Sequence, residues 1–262
     1  MGLKAVLVAL VVGVSPASYV ASHQQPDGGY AERGGKSSLE LTAWSVLGLV
    51  AAGQKPGNDA QIYLQRAHAQ DVSDTELRIL ALEAVGADTD AYDLPVGKSG
   101  RIGPLVNSTI WGILALRSSE RPVPATTVRY LLGQQRPSGG WSWYPRGAPD
   151  SNDTAAAIQA LRSVGVAGKP IIRGLSYLRM LQGKDGGFAL VRGRASDSQS
   201  TAWAIQAFVA AGKKPPAAAF RFLAGMRRPD GSYRYSKRYS VTPLWVTSQV
   251  LPALARKPFP LK

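Results

Sequence analysis

The residues best equipped for chemistry lie in one short stretch, Asp150-Ser151-Asn152-Asp153-Thr154-Ala155. Two carboxyl groups that share a site repel each other when both ionise, so one keeps its proton to higher pH and can serve as a general acid. Asp150 and Asp153 are spaced as such a pair. Asp153 also has a plainer reading, as the residue that caps the backbone N–H groups of a helix start. Asn152, between them, has an amide with no titrating proton to give.

The chain has no cysteine and two histidines, His23 and His68. That composition excludes disulfides, thiolate nucleophiles, thioesters and Cys-ligated zinc. Neither histidine has a partner at ligand spacing, and both fall in expected helices with surface or capping roles. No metal site and no cofactor are expected.

Aromatic residues cluster near the acids. The loop Trp141-Ser142-Trp143-Tyr144-Pro145-Arg146 leads straight into Asp150, and long loops beside a site are where ligand walls are built. Trp143 and Tyr144 are its candidate contacts, with Gln199, the basic stretch Arg192 to Arg194 and the tyrosine-rich stretch Tyr233 to Tyr239 as further polar candidates. Trp44, Trp111 and Trp203, with Trp245 one place later, recur at matching positions. They would either ring a central cavity, where indole faces bind apolar ligands and steady cations, or fill the seam between helices as core.

These positions belong to a repeat. A segment opening with Thr recurs from Thr42, Thr75, Thr109, Thr154, Thr201 and Thr242. Each copy is apolar nearly all round, which marks a helix buried on every side. Gly53, Gly86, Gly165 and Gly212 close four copies where a helix end favours a left-handed residue. Asp74, Ser108, Asp153 and Ser200 precede the Thr as expected N-caps. More amphipathic stretches lie between, at Ser18–Gln25, Asn58–Ala69, Pro124–Gln135, Pro170–Gln182 and Pro216–Arg227, with a sixth in Asp88–Pro104 that its Pro and Gly residues make short or irregular. Six outer and six inner helices then alternate, and hairpins that cannot bury their own inner helices must stack, here into a closed ring. Four outer stretches end in a shared turn, Gln24 to Tyr30, Gln135 to Trp141, Gln182 to Phe188 and Arg228 to Tyr233, built on Asp-Gly and Gly-Gly.

The pattern Arg173-Gly174 through Tyr177-Leu178, Gln182, Gly186 and Phe188 resembles the QW repeat of squalene-hopene and oxidosqualene cyclases. The layout of residues 18–254 is similar to the α/α-toroid superfamily of terpenoid cyclases and protein prenyltransferases. The resemblance implies an all-α (α/α)6 toroid. It also aligns Asp150 to Ala155 with the acidic motif that protonates substrate in class II terpenoid cyclases, where the middle Asp is the donor. Here that place is Asn152.

The formal net charge is +14, from 31 Lys and Arg against 17 Asp and Glu. The basic residues are scattered through apparent turns, which argues for a solvated surface rather than a specific nucleic-acid groove. An acidic cell envelope or acidic protein remains a fitting partner. Near the N-terminus, Lys4, an apolar run from Ala5 to Val14 and Ser15-Pro16-Ala17 match a signal peptide cut after Ala17, and the run is too short for a transmembrane span. The expected product is an exported single-domain toroid, residues 18–262. Three functions suit it: non-catalytic binding of an isoprenoid-like ligand, which the loss of the middle Asp favours; a terpene cyclase or mutase using Asp150 or Asp153 as donor; and a protein scaffold with a filled centre. An open cavity of about 300 Å³ or more separates the first two from the third.

Overall fold

The computed structural model describes residues 14–261. Six inner helices run in parallel around a common axis: α2 (Leu39–Ala51), α4 (Val72–Ala84), α5 (Val106–Ser118), α7 (Ser151–Ser163), α9 (Ser198–Ala210) and α11 (Pro243–Leu254). Each packs on the next, and α11 packs on α2, closing the ring. Closure depends on small residues. A Cβ on Gly48 of α2 would lie 2.6 Å from the carbonyl oxygen of Ser248 on α11, and Ser45 and Ser248 hydroxyls meet across the same seam at 3.4 Å.

The outer layer is α1 (Pro16–Ala21), α3 (Asn58–Arg66), α6 (Ala125–Gly133), α8 (Lys169–Met180) and α10 (Ala217–Met226). Among the described residues this makes five outer helices where six were expected. The stretch 88–104 forms turns around a Val96–Ile102 bridge, because Pro95 and three glycines deny it a helical run. Between α8 and α9 a two-residue hairpin pairs β1 (Phe188–Ala189) with β2 (Ser196–Asp197).

In five of the six inner helices a Thr is a structural fastener; in α4, Thr75 instead donates its hydroxyl to the Asp71 carbonyl at 3.4 Å. The fastening Oγ1 accepts the backbone N–H of the last residue of the preceding turn: Tyr30 to Thr42, Trp141 to Thr154 and Phe188 to Thr201, each at 2.9 Å. Ile102 to Thr109 at 3.2 Å is a fifth copy of the turn, hidden in the sequence because Val96 and Ile102 replace the usual Gln and aromatic. The last member is Tyr233 to Thr247, not Thr242. The sixth repeat is therefore displaced by five residues from the expected register. Thr242 instead precedes α11 in a left-handed conformation, and the carboxylate of Glu32 caps that helix by accepting the N–H groups of Leu244 and Trp245 at 3.1 and 3.0 Å.

The turns also lock the outer layer. Gly139 has φ +98°, and a Cβ there would lie 2.5 Å from the Arg173 carbonyl oxygen of α8. The guanidinium of Arg173 returns the contact by donating to the carbonyls of Arg136 and Pro137.

At the opposite end, all six inner helices stop the same way, with a left-handed residue after the C-cap. Gly53, Gly86, Gly165 and Gly212 fill this place as expected, and Glu120 and Arg256 fill the other two.

The helix starts differ from expectation. Three of the inner-helix caps are acids one turn earlier, Asp71, Asp150 and Asp197, while Leu105 stands at the N-cap of α5. Asp74, Ser108, Asp153 and Ser200 sit inside the first turn. A helix of this burial needs its cap outside the apolar ring, where the chain is still extended. His23 and His68 lie just beyond α1 and α3, not within them.

Most of the expected signal segment lies outside the described residues. Pro16 and Ala17 belong to α1, whose start is capped by Ser15 Oγ accepting the Ser18 N–H at 3.0 Å. Among the described residues no helix is long and apolar enough to cross a membrane.

Candidate functional site

Counting from the recurrent Thr of each inner helix, with Thr247 as the sixth, two sets of positions face the ring axis. Two residues before it stand Glu40, Ser73, Asn107, Asn152, Gln199 and Trp245. Two residues after it stand Trp44, Leu77, Trp111, Ala156, Trp203 and Gln249. The two sets are four residues apart on each helix and so share a face, one turn above the other. All twelve line a single pocket of about 390 Å³ at the N-terminal mouth of the ring, with Asp150, Asp153, Trp143 and Leu190.

The tryptophans form a floor. Trp44, Trp111 and Trp203 meet edge to face at the axis, with ring centroids 5.4 to 5.8 Å apart. Phe259 of the C-terminal tail supports them from beneath at 5.8 to 6.1 Å. The three indoles are buried, but at the ring axis and not in the seam between inner and outer helices, and their upper surface is pocket wall. Gln249 completes the floor, its Oε1 accepting from Trp203 Nε1 at 2.9 Å and from Gln199 Nε2 at 3.0 Å. Its Nε2 has no acceptor among the described residues.

Asp150 and Asp153 stand at the wall and divide their work. Asp150 is the N-cap, its Oδ1 accepting the Asp153 N–H at 2.8 Å. That frees the Asp153 carboxyl, which is 3% exposed and accepts the Asn107 amide at 2.6 Å. Burial, reinforced by the neighbouring Asp150 carboxylate, pushes Asp153 well above the ordinary carboxylate range, against the smaller opposing pull of Asn107. The Asp153 carboxyl thus faces an aromatic pocket and holds its proton more tightly than an ordinary aspartate does. Burial also raises Asp150, although the hydrogen bonds it accepts oppose the shift. Glu40 lies at the rim, raised by desolvation and steadied by the indole groups of Trp245 and Trp44.

Of the residues expected at the site, Asp150, Asn152, Asp153, Trp143, Trp44, Trp111, Trp203, Trp245 and Gln199 all line the pocket. Tyr144 does not. Its side chain is 56% exposed and its ring covers Gly147, because the loop turns there with Arg146 at positive φ. Arg192, Arg194 and the stretch Tyr233 to Tyr239 also stay out of the lining. Asn107, Gln249 and Glu40 were not singled out from the sequence. Asn107 could have been found by reading two places back from each Thr. Among the described residues no group of three or more His, Cys, Asp or Glu side chains could hold a metal ion.

No protein-family model matches the sequence, and no curated protein matches it. Solved structures do resemble the chain. The type II terpene cyclase MstE from Scytonema superposes with a TM-score of 0.70 at 16% identity, covering 92% of this chain and 95% of that one. The same enzyme has been solved with its substrate, geranylgeranyl dihydroxybenzoate. The ent-copalyl diphosphate synthase from Streptomyces platensis gives 0.64 at 20% identity over 83% of this chain, which spans only 50% of that protein. A protein geranylgeranyltransferase-I from Candida albicans, complexed with GGPP, gives 0.63 at 12% identity over 82% and 83% of the two chains. By fold, this chain is an α/α toroid of the kind shared by the terpenoid cyclases and protein prenyltransferases.

Proposed function

We propose that the mouth pocket binds an uncharged isoprenoid and that Asp153 protonates it, as a type II terpene cyclase or mutase would. The observation that carries this reading is the release of Asp153 from capping: Asp150 serves the helix, and the buried Asp153 carboxyl opens on the pocket with Asn107 placed to stabilise the carboxylate left behind. The geranylgeranyl chain of the substrate of the structurally similar MstE supports an isoprenoid ligand; the preference for an uncharged one rests on the acidic lining alone.

In the proposed step the Asp153 proton adds to a substrate double bond, whose π electrons form the new C–H bond. The cation left on the adjacent carbon is attacked by the next double bond, and the final cation releases a proton to water or to the Asp153 carboxylate. Product and substrate are isomers, so no cofactor enters. Indole faces at the floor stabilise the intermediate charge. The lining carries Glu40, Asp150 and Asp153 and no Lys or Arg, so a diphosphate ester meets repulsion where a neutral alcohol or hydrocarbon does not.

Titration of tryptophan fluorescence tests the pocket directly, because five of its lining residues are tryptophans. Farnesol is expected to bind more tightly than farnesyl diphosphate. Equal or reversed affinities would overturn the assignment of an uncharged ligand.

Non-catalytic binding is the second reading, favoured by Asn152 standing in the lining where the resemblance places the donor Asp. It predicts the same titration and no turnover. A cavity of about 390 Å³ counts against a scaffold with a closed centre. For export, which the sequence suggests, a cut after Ala17 would remove the Ser15 cap of α1. Mass spectrometry of the secreted chain would place the cut.

A further inference from the structure

A second cavity lies at the other end of the ring, beneath Phe259. It measures about 410 Å³ and is lined by Arg117, Arg162, Arg256 and Lys257, with Gln159 and the tail residues 258–260. Four cationic side chains share it, and no carboxylate is in the lining.

Basic residues at helix C-termini ordinarily answer the exposed carbonyls and the negative end of the helix dipole. Arg162 does this, its Nε donating to the Ala210 carbonyl at 3.2 Å and its Nη1 to Val166 at 2.9 Å. Arg117 does not: its Nε is buried and has no acceptor among the described residues. A buried guanidinium N–H without an acceptor carries the full cost of its desolvation.

Arg256 adds a second argument. It occupies the left-handed position, φ 54°, that glycine fills after four of the six inner helices. A side chain there is held against backbone strain. Arg256 lines the cavity, and its guanidinium is stacked 5.1 Å over the ring of Phe220 on α10. The four cationic side chains gather without a carboxylate, Arg256 and Lys257 on the solvent-facing side, in a chain already at +14, and an anion placed among them would relieve their repulsion.

We propose that this cavity is a binding site for a small phosphate-bearing anion, with Arg117 and Lys257 as its principal donors and Arg256 as a wall charge. Planar guanidinium groups match phosphate oxygens by paired, charge-assisted hydrogen bonds. The site is separated from the mouth pocket by Phe259 and three indoles, so it stands whether or not the mouth pocket is catalytic.

Isothermal titration with inorganic diphosphate tests the proposal. Wild-type protein should bind one equivalent, and Arg117→Gln and Lys257→Gln should each weaken binding by about tenfold, the loss expected for one charge-assisted hydrogen bond. Arg228→Gln, in a mouth-side turn, controls for general charge and should leave affinity unchanged. Absence of wild-type binding, undiminished binding in Arg117→Gln, or equal weakening in Arg228→Gln would each overturn it. So would retention on vesicles containing phosphatidic acid without any binding of soluble diphosphate.

Discussion

Asp153 and Glu76 are both buried acids, yet they have different surroundings. Asp153 has Asn107, Asp150 and a pocket. Glu76, on α4, is fully buried with neither carboxyl oxygen partnered among the described residues. Burial therefore raises Glu76 well above its ordinary value of 4.5. Since the folded state holds this proton more tightly than the unfolded state, its contribution to stability is present below about pH 4.5 and is lost as pH rises through the folded value. Glu76→Gln should stabilise the protein against urea more at pH 8 than at pH 4.5, because the glutamine has no carboxylate to be ionised in a dry site. A pH-independent difference between the two proteins would refute this. The acid pair was visible in the sequence because Asp150 and Asp153 are close along the chain. Its division of labour was not, since the cap is decided by where the backbone leaves its extended form, and Asn107 arrives from a different helix. Gln249 escaped notice for a related reason: the apparent sixth Thr was Thr242, and only the hydrogen bond from Tyr233 identifies Thr247 as its counterpart.

The elements were more legible than the site. Inner helices read clearly because apolar residues on every face admit only a buried helix, and the glycines after four of them marked their ends. The fifth turn stayed hidden, as its function lies in backbone shape and in Gly100 at φ +87° rather than in the Gln and aromatic that flag the others. Glycine positions provide a graded test of this account. Gly165 has φ +82° and nothing within reach of an added Cβ, whereas Gly139 combines φ +98° with the α8 backbone. Gly165→Ala should cost about 1–2 kcal/mol, the left-handed penalty alone. Gly139→Ala should cost clearly more, because the turn must also move away from Arg173. Equal losses in chemical denaturation would mean that the turn does not clamp the outer layer.

At the scale of the molecule, the ring holds two cavities back to back, divided by three tryptophans and a phenylalanine from the chain's tail. This partition could not be read from the sequence, because Phe259 reaches the axis through a return of the chain far from its tryptophan partners. Phe259→Ala should destabilise the fold by about 3–5 kcal/mol and shift tryptophan emission, since its ring is 3% exposed and touches three indoles. Unchanged stability would show that the tail is not part of the core. The central claim concerns the upper cavity, that Asp153 delivers a proton to an isoprenoid held on the tryptophan floor. The most direct test is incubation of the protein with a lipid extract in D2O, followed by mass spectrometry of retained and released isoprenoids. The account predicts an isomerised product carrying one deuterium with wild-type protein and none with Asp153→Asn, which should still retain the unreacted lipid. A lipid retained unchanged by the wild type, or a deuterated product formed equally by Asp153→Asn, would contradict it.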